Sequence, residues 1–154
     1  MSKSLLISMV GLPRSGKSTI VADLAKVWSA PIVRRDDIRL ALHGNRYIGL
    51  AEPFVKAISL VMIRSLFLSG HKTVICDETN YSRSARDYIK SDEWNTIFHV
   101  VPTPASVCME RAIKTNQADL IPVIEEMAAR YEPLQEDEKE IKDPFNIHDV
   151  DLNR

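Results

Sequence analysis

Nine consecutive residues, Gly11-Leu12-Pro13-Arg14-Ser15-Gly16-Lys17-Ser18-Thr19, follow the pattern G-x-x-x-x-G-K-[ST]. These residue types suit the binding of a phosphate chain. Gly11 and Gly16 let the backbone wrap tightly, so that several N–H groups point at phosphate oxygens near a helix N-terminus. Lys17 has the reach for the β- and γ-phosphates, and the Ser18 hydroxyl is suited to a Mg²⁺ ion beside them. Pro13, Arg14, Ser15 and Thr19 complete the cradle, with Arg14 either an extra donor or simply solvated. The expected ligands are therefore ATP, or another nucleoside triphosphate, and Mg²⁺.

The flanks decide whether such a match has meaning. Leu5-Leu6-Ile7-Ser8-Met9-Val10 is short, apolar and strand-like, while Ile20, Val21, Leu24, Ala25 and Trp28 recur at helical spacing. Strand, glycine-rich turn and helix is the context that the chemistry requires.

Further along, Ala30 to Arg34 reads as a second strand that runs into Arg34-Arg35-Asp36-Asp37, where Asp36 or Asp37 could cap a helix through Leu42. A long helix from about Leu50 to Ser69 is apolar on most sides, which predicts a largely buried element. Thr73 to Cys76 is a buried-strand candidate that leads directly into Asp77-Glu78-Thr79-Asn80. A helix over 82–90, a strand over 96–101, a helix from Pro104 to about Lys114 and a helix near 120–131 follow. The acidic segment 132–143 reads as a solvated face, and 145–150 as a last strand. This alternation predicts an α/β fold: one domain over 1–154, a parallel sheet of about five strands, and helices on both faces in three layers.

In such sheets ligands gather beyond the C-terminal strand ends. The loop 11–19, the segments 36–39 and 77–80, and the polar break after Lys114 all fall there. Asp36 or Asp37 could orient and deprotonate an acceptor hydroxyl. Arg39, three residues beyond Asp36 on the same helical face, could hold that carboxylate or grip an acceptor phosphate. Taken alone, this pair is more simply a helix cap with a surface ion pair; beside a phosphate loop, function is favoured. Asp77 or Glu78 is placed to hold a metal-bound water, Thr79 and Asn80 to cap a helix or contact the acceptor, and Arg83 and Arg86 to face the same cleft. Arg111 and Lys114 could cover the phosphates as a small lid near 111–120, although both also suit a helix C-terminus.

Composition sets the bounds. At 154 residues with a net charge of −1, the chain suits one domain without a broad nucleic-acid-coating surface. Cys76 and Cys108 lie too far apart for a metal motif and read as small buried hydrophobes. His43, His71, His99 and His148 have no ligand spacing. The apolar N-terminal run leads straight into the phosphate loop, so its removal as a signal peptide would destroy the site, and no segment is long enough to span a bilayer. A cytoplasmic location without membrane contact is the expectation.

The pattern resembles the 5′-hydroxyl polynucleotide kinase branch of the P-loop kinases. It does so in Gly11 to Thr19, in Arg35-Asp36-Asp37-Ile38-Arg39, in Asp77-Glu78-Thr79-Asn80 with Arg86 downstream, and in Ile121-Pro122-Val123-Ile124 leading to Tyr131-Glu132-Pro133. The resemblance implies a P-loop NTPase-type sandwich with Lys17, Asp36, Arg39 and Arg111 in catalysis, Asp36 being the general base. It implies acceptor contacts from Asp37, Arg39, Thr79, Asn80 and Arg86, and metal contacts from Ser18 with Asp77 or Glu78. The second lid arginine falls on Thr115, a departure for which Lys114 is the nearest substitute. Asp149-Val150-Asp151 resembles the start of a phosphatase motif, but Leu152 and Asn153 follow it, which leaves a final strand as the reading. Phosphoryl transfer from ATP to the 5′-OH of a nucleic-acid end is the expected activity. A nucleoside or other small-metabolite kinase, and an ATP-binding module without transfer, are the alternatives. The sequence leaves the oligomeric state open.

Overall fold

The computed structural model describes residues 3–44, 47–148 and 150. Five strands, β1 (Ser4–Val10), β2 (Ile32–Arg34), β3 (Thr73–Asp77), β4 (Trp94–Val100) and β5 (Lys139–Glu140), form one sheet in the order β2-β3-β1-β4-β5. Every pairing in it is parallel. The helices are α1 (Lys17–Trp28), α2 (Arg35–His43), α3 (Glu52–Leu68), α4 (Arg83–Tyr88), α5 (Ala105–Lys114) and α6 (Ile121–Ala129).

Central β1 explains the layering. Leu6 and Val10 belong to one core, shared with Val55 and Ile63 of α3, Ile89 and Phe98. Leu5, Ile7 and Met9 belong to a second core with Val21 and Leu24 of α1. A strand covered on both faces reads as an unbroken apolar run rather than an alternating one. A smaller cluster of Cys108, Ala112 and Ile124 joins α5 to α6.

Several elements differ from the sequence expectation. The fifth strand is Lys139–Glu140 beside β4, while 144–145 and 147–148 are turns. Asp149, Asp151, Leu152 and Asn153, which carried the final-strand and phosphatase readings, lie outside the described residues. Helix α2 starts two or three residues earlier than expected: Arg34 is its N-cap, and Asp36 and Asp37 sit in its first turn, where carboxylates oppose the positive helix end. Helix α3 buries one face only, through Val55, Ser59 and Ile63. The acidic segment is not wholly solvated either, because Glu138 is buried.

Among the described residues, no helix is long and apolar enough to cross a membrane.

Candidate active site

The phosphate loop joins β1 to α1 at the C-terminal end of the sheet. Two glycines are required there for different reasons. Gly16 has φ 101°, a conformation that a side chain resists. Gly11 lacks room: a Cβ would stand 2.9 Å from Ser15 Oγ and 3.1 Å from the Val101 carbonyl. Arg14, although not glycine, also has positive φ, at 66°. The loop is tied from outside by Gly11 N donating to Thr79 O at 2.9 Å and by Thr103 Oγ1 donating to Ser15 O at 2.7 Å. Nothing in the sequence pattern singled out Thr103.

Lys17 turns into the loop, where its ammonium donates to Gly11 O at 2.8 Å, Leu12 O at 2.6 Å and Ser15 Oγ at 3.4 Å. Burial pushes its pKa down to about 8, against the attraction of Asp77, Cys108 and Asp36. Ser18 and Thr19 are exposed at the start of α1. The Ser18 hydroxyl donates to Asp77 Oδ2 at 2.9 Å. Arg34 donates to the same oxygen at 3.0 Å, as the register Arg34↔Asp77 between β2 and β3 requires.

Of the two acidic candidates at the end of β3, Asp77 therefore reaches the loop. Glu78 turns to the other face and is buried there. Its Oε1 lies 2.9 Å from Arg35 Nε, without good hydrogen-bond alignment, and accepts from the Cys76 thiol at 3.1 Å. Burial raises the Glu78 pKa against the pull of Arg35, and burial followed by Glu78 raises that of Cys76.

Asp36 projects from the first turn of α2 with its side chain 81% exposed. Arg39 donates to it at 2.8 Å and is gripped from behind by Glu52 of α3, with contacts of 2.6, 3.0 and 3.1 Å. Burial works against the Arg39 charge, but hydrogen bonding and attraction from Glu52, then Asp36, outweigh it and raise its pKa. Asp37 is exposed on the same turn. Glu52 lies 13 residues from Arg39 in sequence, and only tertiary packing of α2 on α3 makes them partners.

The structure does not bring every expected residue to this edge. Asn80 is buried, its amide donating to Ser8 Oγ at 2.7 Å and Met9 O at 2.8 Å, so it pins the strand ends. Arg86, expected to face the cleft, is fully buried instead. It forms an ion pair with Glu138 at 2.9 Å and donates to the carbonyls of Asn80, Glu132 and Pro133. Arg83 turns to Asp137 and Asp87. Over the loop, Arg111 donates to Arg14 O at 3.2 Å, whereas Lys114 pairs with Glu110 on the surface. Thr115 Oγ1 donates to Arg111 O at 2.9 Å, closing the end of α5.

A largely apolar cavity of about 260 Å³ opens beside Gly11 and Leu12, walled by Val101, Pro102, Ala128 and Tyr131. A second, of about 340 Å³, lies at the opposite end of β4 beside Lys3, Asp92 and Trp94, away from the loop. Among the described residues, no group of three or more His, Cys, Asp and Glu could hold a metal ion alone. Ser18 and Asp77 fit Mg²⁺ better than such a cluster would. Both offer hard oxygen donors, and this ion takes one or two carboxylates together with substrate phosphates.

A protein-family model described as an AAA domain matches residues 6–134. No curated protein matches the chain in sequence. Among solved structures it is similar to a gluconokinase from Sinorhizobium meliloti 1021, at 19% identity and TM-score 0.63, over 92% of this chain and 83% of that one. It is similar to the APS kinase CysC of Mycobacterium tuberculosis in complex with AMPPNP and APS, at 14% identity and TM-score 0.69, over 99% and 92%. A chain of the Pnkp1/Rnl/Hen1 complex shares 28% identity at TM-score 0.63, over 72% of this chain and 40% of that longer one.

Proposed function

The chain belongs to the AAA domain family, and from that premise we propose that it is an ATP-dependent kinase that phosphorylates a hydroxyl group. One observation carries this reading. The Ser18–Asp77 pair, the buried Lys17 and the exposed Asp36 share one edge of the sheet, which is what a donor, a metal and an acceptor base need.

In this reading the loop N–H groups and Lys17 hold the β- and γ-phosphates. Ser18 and Asp77 would hold Mg²⁺, which when bound neutralises charge on the donor. Glu78 is no alternative to Asp77, being committed to Arg35 on the far face. Asp36 takes the proton from the acceptor hydroxyl, whose oxygen bonds to the γ-phosphorus as the bond to the ADP oxygen breaks. Arg39 fixes Asp36 through its 2.8 Å hydrogen bond and is itself fixed by Glu52. Arg111 covers the loop from the lid side and lends positive charge as the transferred group moves.

For the acceptor, the 5′-OH of a polynucleotide is the reading that the motif set 35–39, 77–80 and 121–133 supports, together with the 28% identity to a Pnkp1/Rnl/Hen1 chain. A specific observation favours a second reading, a small metabolite. Arg34, Arg35 and Arg39, the arginines nearest Asp36, each already face a carboxylate. A polyanion would find little free positive charge there.

The test is transfer from γ-labelled ATP to a 5′-OH oligonucleotide, to a panel of nucleosides and sugars, and to no added acceptor. Label on the oligonucleotide supports the first reading, and label on a small hydroxyl alone selects the second. ATP binding with no transfer to any acceptor would overturn the kinase assignment.

A further inference from the structure

Helix α3 is apolar on two opposite faces, and the fold covers only one of them. Val55, Ser59 and Ile63 face the sheet. Phe54, Ala57, Val61, Ser65 and Leu68 fall within about 80° of one another at the helical period of 3.6 residues, on the side turned away from it. All five are exposed, and Leu50 in the preceding turn extends their line. Charge is absent from the middle of this stripe. Arg64 lies at its edge and pairs with Glu93 of the same chain.

We propose that this stripe is the contact between two copies of the chain, packed as an antiparallel α3–α3 pair about a two-fold axis that crosses the stripe between Ala57 and Val61. Residue sizes carry the choice of occupant. A two-fold there sets Leu50 against Leu68, Val61 against Ala57, and Phe54 against Ser65 of the second copy. Each bulky residue meets a small one at the centre, and leucines close both ends. A surface that is self-complementary in this way fits itself better than it fits an arbitrary helix, which is the demand a two-fold interface makes.

The area points the same way. Leu50, Phe54, Val61 and Leu68 are 90, 68, 63 and 81% exposed. At about 150–250 Å² for a large apolar side chain, they leave on the order of 600 Å² open. That is the upper end for a patch on an ordinary monomer. With a polar rim it approaches the roughly 800 Å² per partner of a stable interface. The dimer leaves the candidate site accessible, because Glu52, which holds Arg39, lies on the inner side of α3.

The experiment is sedimentation equilibrium on the full chain from about 1 to 100 µM, with the Val61→Arg variant beside it. The wild-type chain, of 17.4 kDa, should approach twice that mass. Val61→Arg should remain at the monomer mass with unchanged circular dichroism and unchanged ATP binding, since position 61 is exposed and remote from the loop. Oxidation of a mixture of Ala57→Cys and Val61→Cys chains should give the mixed disulfide in preference to either like pair; Cys76 and Cys108 are buried and stay silent. A monomer throughout the range overturns the proposal. So does a dimer that Val61→Arg leaves intact, and so does a preference for like-pair disulfides.

Discussion

Lys17 offers a quantitative test of the proposed donor site, because that reading needs its charge while its surroundings oppose it. Burial within the loop lowers its pKa to about 8, below the ordinary lysine value of 10.5. Bound triphosphate brings several negative charges to the same ammonium, so the pKa in the complex lies above that of the free protein. Below pH 8 the free protein already carries the proton, and ATP affinity is flat. Above pH 8 the proton must be taken up on binding, and affinity falls by up to tenfold per unit. At pH 9 about a tenth of the free protein is charged, so Kd rises about tenfold from its value at pH 7.5, equal to about 1.4 kcal/mol. Titration calorimetry between pH 7.5 and 9.5, in buffers of different ionisation enthalpy, reads both affinity and proton uptake. The range lies above the last phosphate ionisation, near about 6. Lys17→Met should bind weakly with a flat profile. A wild-type Kd that stays constant to pH 9.5 with no proton uptake would refute the placement of this lysine against the phosphates.

Three other outcomes follow from the geometry. Gly11→Ala forces a methyl to within 2.9 Å of Ser15 Oγ and 3.1 Å of Val101 O; overpacking of this kind costs about 1–3 kcal/mol, and ATP affinity should drop at least tenfold in the same calorimetric assay. Asp36→Asn should cut the transfer rate by about 10²–10⁴ while ATP affinity stays within a factor of two or so, as measured by label transfer and calorimetry side by side. Glu138→Ala leaves Arg86 buried without its carboxylate and should cost about 3–5 kcal/mol, read from urea unfolding. Burial raises the Glu138 pKa, but Arg86 and Lys90 outweigh that and hold it below the usual value, so in the wild type this contribution is present at neutral pH and is lost as pH falls through the lowered value.

The parallel sheet was legible because its strands are covered on both faces and so appear as continuous apolar runs, punctuated by residues with a local reason to turn. Gly16 opens α1 in a conformation that favours glycine, and Thr73 to Cys76 is apolar up to the point where the chain reaches the site. What escaped the sequence was partnership at long range. Arg86 and Glu138 lie 52 positions apart, and nothing in either neighbourhood states that one neutralises the other. The same holds for Glu52, whose position in the first turn of α3 reads as ordinary helix-end electrostatics until α3 is seen packed on α2. Helix α3 misled in a different way. An apolar stripe on each side implies burial on each side, and the chain itself supplies only one cover.

One distinction left open by the motifs follows from a period of two. Residues alternate faces along a strand, and they continue to do so briefly past its end. In β3, Val74 and Cys76 face the core shared with α3, while Ile75 faces the core shared with α1. By that count Asp77 belongs with Ile75, on the side of α1 and Ser18, and Glu78 belongs with Cys76. In β2 the same parity places Ile32 and then Arg34 on the α1 side, with Val33 and then Arg35 on the other. Two ion pairs result, one per face: Arg34 with Asp77, and Arg35 with Glu78. The Arg34–Asp77 pair lies beside Ser18, where in the proposed reaction phosphate and metal would compete for its members. The pair on the far face, with Glu78 buried, joins the start of α2 to the end of β3. Two adjacent acidic residues thus divide into one that can act in the proposed reaction and one buried on the far face, and the pleat of the sheet alone makes the division.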